Sequence, residues 1–434
     1  MTGGTVTASS GQHFGYSGDA TPGQEVTLNM SGGVWTSTSD SIHFGSRASY
    51  TANINLSGFA EMKMTASDTS KHIIIGGTSE SGTGKANVTM KGNALLSSSN
   101  QIFIGNNDGG VATVTMSGDS RMEAKKIVIS RFNGTGTVTL SDEAQMSSSG
   151  DVIVGENGSA SLTLNGGSSV QSGSGSTITI GGGWNTSASK NAATGTVTLN
   201  GNSSLSTTGI YLGKKNNTSL ANEGHLVLNG GTVTTRFIRK GDGGNGSGEG
   251  SSITFNGGKI VFESGQDFET ALFKGFTAAD LKIQSGGLAL QIDANASLAQ
   301  GLTGGGTLTK SGAGVLTLGV SGAFTGDVIV EEGGLILQDG AIDESALLSL
   351  ASGTTLDFDG DFTLVVSSLK LGDTVVGEGV YTATDLENLE WNITFGNDVT
   401  IQVIPEPSTY ALAFGGLGVA AMALRRRKRK SDVA

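Results

Sequence analysis

The chain has 434 residues, with 71 glycines, 3 prolines, no cysteine and 15% charged residues. Without cysteine, neither a disulfide framework nor a thiolate metal site can form, whereas an apolar content of 36% in short alternating runs can bury a core and excludes a disordered chain. Up to Ile404 there are 20 Lys and Arg against 36 Asp and Glu, and this spread acidity argues against nucleic acid as a partner.

The N-terminal stretch, MTGGTVTASSGQHFGYSGDATPGQ, does not look like a secretory signal. Such a signal has a charged region and then an apolar stretch of about 7 to 15 residues, and this stretch has neither. The repeat pattern also starts in mid-array. We therefore expect Met1 to begin a fragment or an already processed chain.

A short alternating strand then recurs, as in VTLNMSG, NVTMKG, TVTLSD and TVTLNG. A second run, such as IHFG, IIIG or IFIG, follows 9 to 17 residues later, and Gly, Asn and Ser fill the turns. The spacing between repeats is 24 to 35 residues, too short for propeller blades of about 40 to 50 residues. The last apolar residues of the nine first strands are Met30, Leu56, Met90, Met116, Leu140, Leu164, Leu199, Leu228 and Phe255.

Strand sets of about 25 residues cannot close a core alone, so they must stack on their neighbours. Stacking would put Leu and Met inside, Ser and Thr outside, and Gly and Asn at corners that need positive φ. For residues 1–264 we predict an all-β, right-handed parallel β-helix (β-solenoid) of nine rungs, roughly 40 Å long at about 4.8 Å per rung. Loops inserted at one corner would explain the longer spacings.

Residues 265–300 interrupt the alternation. Phe268, Leu272, Phe273, Phe276 and Leu281 recur at nearly helical spacing, which predicts a short helix or an irregular capping insert. Residues 341–404 alternate again and are predicted to form the β-rich C-terminal cap that a solenoid needs.

Residues 301–340 change register, reading TKSGAGVLTLGVSGAFTGDVIVEEGGLILQDG over most of their length. The stretch resembles the autotransporter-associated β-strand repeat, in which a K-S-G-x-G-x-L-x-L strand leads through F-x-G to another strand. This resemblance implies that the solenoid continues here.

The ionisable residues give weak signals for chemistry. His13, His43, His72 and His225 share no paired spacing typical of zinc sites, although His43 and His72 both precede a second strand and are predicted to stack near one another on one face. The segments GNNDGG and GDGGNGSGEG are better explained as turns than as calcium loops. We predict no metal, cofactor or catalytic residue.

The densest acidic spots were weighed as catalytic groups, because parallel β-helices also occur as polysaccharide lyases and hydrolases. Asp142 and Glu143 are adjacent, so on a strand they would point to opposite faces. Asp357, Asp359 and Asp361 would share a face only if a strand ran through Gly360. We favour the interpretation that these acids are solvent-exposed turn residues. We therefore predict that the protein is not an enzyme. A carbohydrate-active enzyme is the alternative, and a cleft with two or three converging ionisable groups would favour it.

The chain ends in VIPEPSTYALAFGGLGVAAMALRRRKRKSDVA. Residues 410–424 are uncharged and mostly apolar, slightly short of the about 20 residues that cross a bilayer, and they predict a single C-terminal transmembrane helix. A basic cluster beside such a helix is more typical of a stop-transfer flank than of a nuclear or nucleic-acid motif. A buried core helix is the other alternative for the apolar run. The predicted stop-transfer residues are Arg425, Arg426, Arg427, Lys428, Arg429 and Lys430.

Pro405, Glu406 and Pro407, followed by an apolar helix and a basic cluster, resemble the PEP-CTERM sorting signal of bacterial exported proteins. Over residues 405–430 the resemblance implies processing by an exosortase near the proline-glutamate-proline motif. It also implies a temporary anchor in the cytoplasmic membrane and a final place at the envelope surface or outside the cell. We therefore predict an exported structural or adhesive solenoid, with extracellular polysaccharide as a candidate partner.

Overall fold

The computed structural model describes residues 1–15, 23–46, 50–77, 83–182, 192–214, 221–241, 248–320, 323–388, 392–396 and 399–404. These residues are nearly all β. Their only helical segments are a 3-10 turn at Ala278–Asp280 and helix α1 (Ala383–Glu387). None of the described helices is long and apolar enough to cross a membrane. The predicted transmembrane helix at 410–424 lies outside the described residues.

The strands are short and follow one another closely. As far as residue 131 they are β1 (Thr5–Ala8), β2 (Gln12–Phe14), β3 (Gln24–Met30), β4 (Val34–Ser37), β5 (Ile42–Phe44), β6 (Tyr50–Leu56), β7 (Glu61–Met64), β8 (His72–Ile75), β9 (Lys85–Met90), β10 (Leu95–Asn106), β11 (Val111–Met116) and β12 (Arg121–Arg131). As far as residue 262 they are β13 (Thr135–Leu140), β14 (Gln145–Ser148), β15 (Val152–Val154), β16 (Ser159–Leu164), β17 (Ser169–Gln171), β18 (Thr177–Gly182), β19 (Thr194–Ser206), β20 (Gly209–Lys214), β21 (Glu223–Thr235), β22 (Phe237–Lys240), β23 (Ser252–Phe255) and β24 (Lys259–Phe262).

The later strands continue in the same style. As far as residue 337 they are β25 (Phe273–Lys274), β26 (Leu281–Ile283), β27 (Leu288–Ile292), β28 (Ala296–Leu298), β29 (Thr303–Gly304), β30 (Leu308–Ser311), β31 (Val315–Leu318), β32 (Ala323–Phe324), β33 (Val328–Val330) and β34 (Gly334–Leu337). The last are β35 (Leu347–Leu350), β36 (Thr355–Phe358), β37 (Thr363–Val366), β38 (Ser368–Leu371), β39 (Thr374–Val376), β40 (Gly379–Thr382), β41 (Thr394–Phe395) and β42 (Thr400–Val403).

Most of these strands lie in three parallel ladders. Ladder 1 contains β3, β6, β9, β11, β13, β16, the first parts of β19 and β21, β23, β26, β29 and β32. Ladder 2 contains β1, β4, β7, the first parts of β10 and β12, β14, β17, the last parts of β19 and β21, β24, β27, β30, β33, β35 and β38. Ladder 3 contains β2, β5, β8, the last parts of β10 and β12, β15, β18, β20, β22 and β25. From β3 to β25 the chain visits the ladders in this order once per repeat, which gives a solenoid-like stack.

The predicted stacking register is confirmed in ladder 1. The nine apolar residues from Met30 to Phe255 are paired one after another in register. Each is at most 1% exposed. Outward positions carry polar residues, and asparagines bond along the stack, with 2.8 Å from Asn55 Nδ2 to Asn29 Oδ1 and 2.9 Å from Asn200 Nδ2 to Asn165 Oδ1. Like residues therefore lie over like, inside and outside.

The corner after ladder 3 explains the glycine that ends most second runs. Gly181 has φ +66°, and a Cβ there would collide with the backbone carbonyl of Glu223. Ser130 takes the same corner in another repeat with φ +63°, and its Oγ donates to the Gly134 carbonyl at 2.7 Å. A residue at this corner must tolerate the left-handed region and leave room for the next coil.

Length variation between repeats is concentrated at this same corner. The connection from β15 to β16 needs only residues 155–158, whereas the connection from β18 to β19 takes residues 183–193. The undescribed stretches 16–22, 47–49, 78–82, 183–191, 215–220 and 242–247 all fall between a ladder 3 strand and the following ladder 1 strand. Most of the length variation thus occurs at one corner, as the repeat spacings predict, although the connection from β7 to β8 also takes residues 65–71.

Of the two alternatives predicted for residues 265–300, the short α-helix is not formed in this described segment, and the irregular or capping insert stays a prediction. The segment contains β25 and a single 3-10 turn, and Phe273 pairs with Ile238 at the end of ladder 3. The ring of Phe273 lies 5.8 Å from Phe262, 5.9 Å from Phe255 and 6.3 Å from Phe276, measured between centroids. These aromatic residues therefore form a cluster in the core and not one face of a helix. Ladder 1 continues after this segment with β26.

The lysine of the K-S-G segment is a core residue. Lys310 has no exposed surface, and its Nζ donates to the carbonyls of Gly312 and Glu332, both at 2.7 Å. The ammonium group thus satisfies carbonyls from two successive turns of the chain. Burial lowers the pKa of Lys310 to about 8, although Glu332 and Asp293 act in the opposite direction.

This buried lysine predicts a specific pH dependence of stability. Its pKa is about 8 when folded against the usual 10.5, so between these values the unfolded chain binds more protons. We expect the free energy of unfolding to rise with pH from about 8 to about 10.5, and this rise to disappear in Lys310→Met. Denaturant unfolding of both proteins across that window is the measurement. Parallel curves for the two proteins would contradict the expectation.

Ladder 2 is the ladder that continues into residues 341–404, where it ends at β38. β38 pairs with β39 in antiparallel fashion, and β40 pairs antiparallel with β42, which also pairs parallel with β37. The cap assigned to this region remains a prediction. The backbone N–H of Ile404 donates to the Val366 carbonyl at 3.0 Å, so the last described residue is hydrogen-bonded to the β body.

Candidate functional site: a polar groove on ladder 2

A groove of about 660 Å³ crosses ladder 2 where β10, β12, β14 and β17 lie side by side. We call it the serine groove. Its lining side chains are polar apart from those of Ala124 and Gly173. The lining consists of Ser97, Ser98, Ser99, Glu123, Ala124, Lys125, Ser147, Ser148, Ser149, Gln171, Ser172, Gly173 and Ser174.

Repeated serines build the groove through a division of roles. The central serine of each run is buried and caps the turn into ladder 3: Ser98 Oγ donates to the Gln101 carbonyl at 3.2 Å and Ser148 Oγ to the Asp151 carbonyl at 3.2 Å. The flanking serines alternate to the outer face. Because the strands are in register, Ser97, Glu123, Ser147 and Gln171 form one outward row. Hydroxyl and amide groups in such a row can donate hydrogen bonds to a hydroxylated ligand and accept hydrogen bonds from it.

The charges of the serine groove come from β12. Glu123 Oε1 lies 3.5 Å from Arg121 Nη1, so the one carboxylate in the lining has a cationic neighbour. Lys125 is exposed at the groove's edge. Among the described residues, no carboxylate lies within ion-pair distance of Lys125.

A smaller recess of about 290 Å³ adjoins the serine groove and shares Lys125 and Ser149 with it. Its other lining residues are Thr69, Asn100, Gln101, Lys126, Gly150 and Asp151. Asp151 Oδ1 accepts from the backbone N–H of Thr177 at 2.9 Å, so its carboxylate is engaged in the turn. Lys126, like Lys125, forms no ion pair with the part of the chain described.

A third recess, of about 410 Å³, lies at the corner between ladders 1 and 2. It is lined by Phe59, Glu61, Asn93, Asp119, Arg121 and Gln145. The ring of Phe59 is 73% exposed, so an apolar face stands among hydrogen-bonding side chains. Arg121 lines this recess and contacts Glu123 of the serine groove, which places the two depressions next to one another.

The histidines do not pair as predicted. His43 stacks on His13, with ring centroids 4.5 Å apart and planes 14° apart, because the two residues are in register between β2 and β5. His72 instead meets Phe103 edge-on at 4.8 Å, since it starts its strand one position earlier and His43 is opposite Ile74. Burial and then the charge of His13 lower the pKa of His43 to about 4. The fourth, His225, lies 3.0 Å from Ser252 Oγ through its Nδ1.

The acidic clusters lie on the surface. Asp142 and Glu143 are exposed turn residues between β13 and β14, and Asp142 Oδ2 accepts from the Gly118 N–H at 3.0 Å. Strand β36 ends at Phe358, so Asp359 and Asp361 lie beyond the strand that carries Asp357. These acids do not converge on a common cleft.

The candidate calcium segments give no cation site in the described residues. Asp108 of GNNDGG accepts a hydrogen bond from Asn133 Nδ2, and most of GDGGNGSGEG lies outside the described residues. Over the part of the chain that the structure covers, no three His, Asp or Glu side chains form a group that could hold a metal ion.

Repeated serines are the sequence signal for the serine groove, whose residues are not among the predicted sites. Ser-Ser-Ser occurs at 97–99 and again at 147–149, and Gln-Ser-Gly follows at 171–173. Ser97 and Ser147 each lie five positions before the aligned ladder 3 residues Ile102 and Val152, whereas Gln171 lies seven positions before Ile178. The motif alone does not show that the side chains meet, because these triplets begin 24 to 74 positions apart in the chain and come together only through stacking.

The sorting-signal residues follow β42 in the sequence. Pro405, Glu406, Pro407 and the basic residues 425–430 are outside the described residues, whereas Val403 is the last residue of β42 and is 6% exposed. Residues 403–428 match the family model of the PEP-CTERM protein-sorting motif. No curated protein and no solved structure matches the chain. The chain therefore carries a PEP-CTERM sorting motif, which implies an exported protein of the cell envelope that is processed by an exosortase.

Proposed function

We propose that this protein is a non-catalytic structural or adhesive element of the cell surface or extracellular matrix, built as a right-handed parallel β-helix and associated with extracellular polysaccharide. The observation that carries the proposal is the attachment of the sorting motif directly after β42, the last strand of the stacked body. Cleavage near Pro405 would then release or re-anchor a complete β body without cutting a strand.

The ladders and grooves support an adhesive role. A stack with one polar row per outward position offers many similar weak contacts, whose combined affinity can far exceed that of each one. The serine groove and its two neighbours provide hydroxyl, amide and aromatic groups of the kinds that contact sugars. In our proposal residues 301–340 are an autotransporter-associated repeat that extends this body.

The chemistry of the groove supports a non-catalytic role. Glycoside hydrolysis usually needs two carboxyl groups on opposite sides of the bond, about 5 to 9.5 Å apart. The serine groove is lined by a single carboxylate, Glu123, which faces Arg121. Binding without cleavage is the function that this arrangement favours.

The test is fractionation of an exosortase-containing bacterium that expresses the full chain. We expect the wild-type protein in the surface and matrix fractions, with a C-terminus near residues 405–407 by mass spectrometry. Glu406→Ala should remain in the cytoplasmic membrane with its basic tail, because the motif read by the processing enzyme is broken. In this proposal the membrane-anchored protein is the intermediate that exists before processing.

A matched control distinguishes the effect of breaking the sorting motif from the effect of removing any glutamate. Glu378→Ala removes an exposed glutamate from the same end of the body and should be sorted like the wild type. An intact tail on surface-located wild-type protein would exclude processing. Complete loss into the medium, with none retained by the matrix, would exclude the structural or adhesive role.

A further inference from the structure

We propose that the serine groove and its adjoining recess bind an acidic polysaccharide, with Lys125 and Lys126 recognising the carboxylate groups of uronic-acid units. This inference rests on the proposed function and names the ligand class and the residues. Its starting point is the place where the two depressions meet, because Lys125 lines both of them and Lys126 lines the recess.

Near this junction the acidic side chains have bonding partners, whereas the two lysines form no ion pair with the described residues. Glu123 lies 3.5 Å from Arg121, and Asp151 accepts from the N–H of Thr177 at 2.9 Å and from its hydroxyl at 3.3 Å. Lys125 and Lys126, in contrast, have no ion pair with any described residue. The acids are therefore engaged, and two cations remain available to an external anion.

The net negative charge of the body makes these two lysines a distinctive site for an anionic ligand. Up to Ile404 acidic residues outnumber basic ones by 36 to 20, so an acidic polymer is repelled by most of this body. A pair of unengaged lysines in a depression is where such a polymer can approach. A neutral glycan can accept hydrogen bonds from the two ammonium groups but forms no ion pair with them.

The shape and lining fit a chain of sugars. The serine groove and the recess have volumes of about 660 and 290 Å³ and share an edge, which gives a continuous path across β12 and β14. Hydroxyl and amide groups of Ser97, Ser147 and Gln171 form an outward row along it. Such groups can bond sugar hydroxyls while the ammonium groups bind carboxylates.

The experiment compares polygalacturonate with its methyl ester, which has the same backbone without the charges. Binding of each polymer to the full chain is measured by titration calorimetry. We expect tighter binding of the acid, and about tenfold weaker binding of the acid by Lys125→Gln/Lys126→Gln, with the ester unaffected. Raising the ionic strength from about 0.1 M to about 1 M should remove the preference, because the Debye length falls from about 10 Å to about 3 Å.

The control variant, Lys259→Gln/Lys282→Gln, removes two lysines that do not line these depressions and should bind both polymers like the wild type. Equal binding of acid and ester by the wild type, or equal losses in both variants, would overturn the acidic specificity but leave polysaccharide association intact. Binding of neither polymer would also overturn this inference, and the surface-fractionation experiment would still decide the proposed function. Unchanged thermal unfolding of the variants would show that the fold is retained.

Discussion

Replacing Gly181 with alanine is expected to destabilise the stack by about 3 kcal/mol or more. The residue has φ +66°, which costs any L side chain energy, and the new Cβ would collide with the Glu223 carbonyl. That carbonyl belongs to the first residue of β21, so the clash cannot be relieved by a side-chain rotation. Urea unfolding gives the free energy, and hydrogen exchange should show the largest loss of protection in β18, β20 and β21.

The control for this prediction is Gly175→Ala. Gly175 has a similar φ of +74°, but a Cβ there would meet nothing within 4 Å. The substitution should lower the free energy of unfolding by about 1 to 2 kcal/mol, which is the energy of holding an L residue at positive φ. The difference between the two variants isolates the close approach of successive coils. Equal costs would show that the corner has space for a side chain.

Replacing Leu140 with alanine is the second change with a large expected effect, about 2 to 5 kcal/mol. Leu140 is fully buried and lies in register between Met116 and Leu164. Truncation would leave a cavity that the hydrogen-bonded strands on both sides cannot close by moving. Denaturant unfolding measures the loss.

Thr139→Ala is the matched control, because Thr139 is the neighbouring residue of β13 and lies on the outer face. It should change stability by no more than about 0.5 kcal/mol. A comparable loss in both variants would contradict the assignment of inner and outer faces. Hydrogen exchange should place the effect of Leu140→Ala in β11, β13 and β16, since each coil contacts mainly its neighbours.

The stacked order of the repeats follows from local sequence pattern alone. Period-2 alternation assigns Leu140 to the core and Thr139 to the surface, and the recurrence of the pattern sets which residues are paired between coils. Glycine at the end of the second runs marked the corner that needs positive φ. The sorting motif was equally readable, because its parts are contiguous in the chain.

The side-chain contacts between coils depend, in contrast, on how the folded chain turns at each corner. His43 meets His13 in register, whereas in the next coil it lies opposite Ile74, two positions along the strand from His72. The aromatic residues near Phe273 look helical in spacing, yet they face one core from a strand and irregular turns. The serine groove exists because β10, β12 and β14 pair in register, which brings Ser97, Glu123 and Ser147 together from separate repeats. Local alternation fixes the face of each residue, whereas the path of the chain around each corner fixes its neighbours.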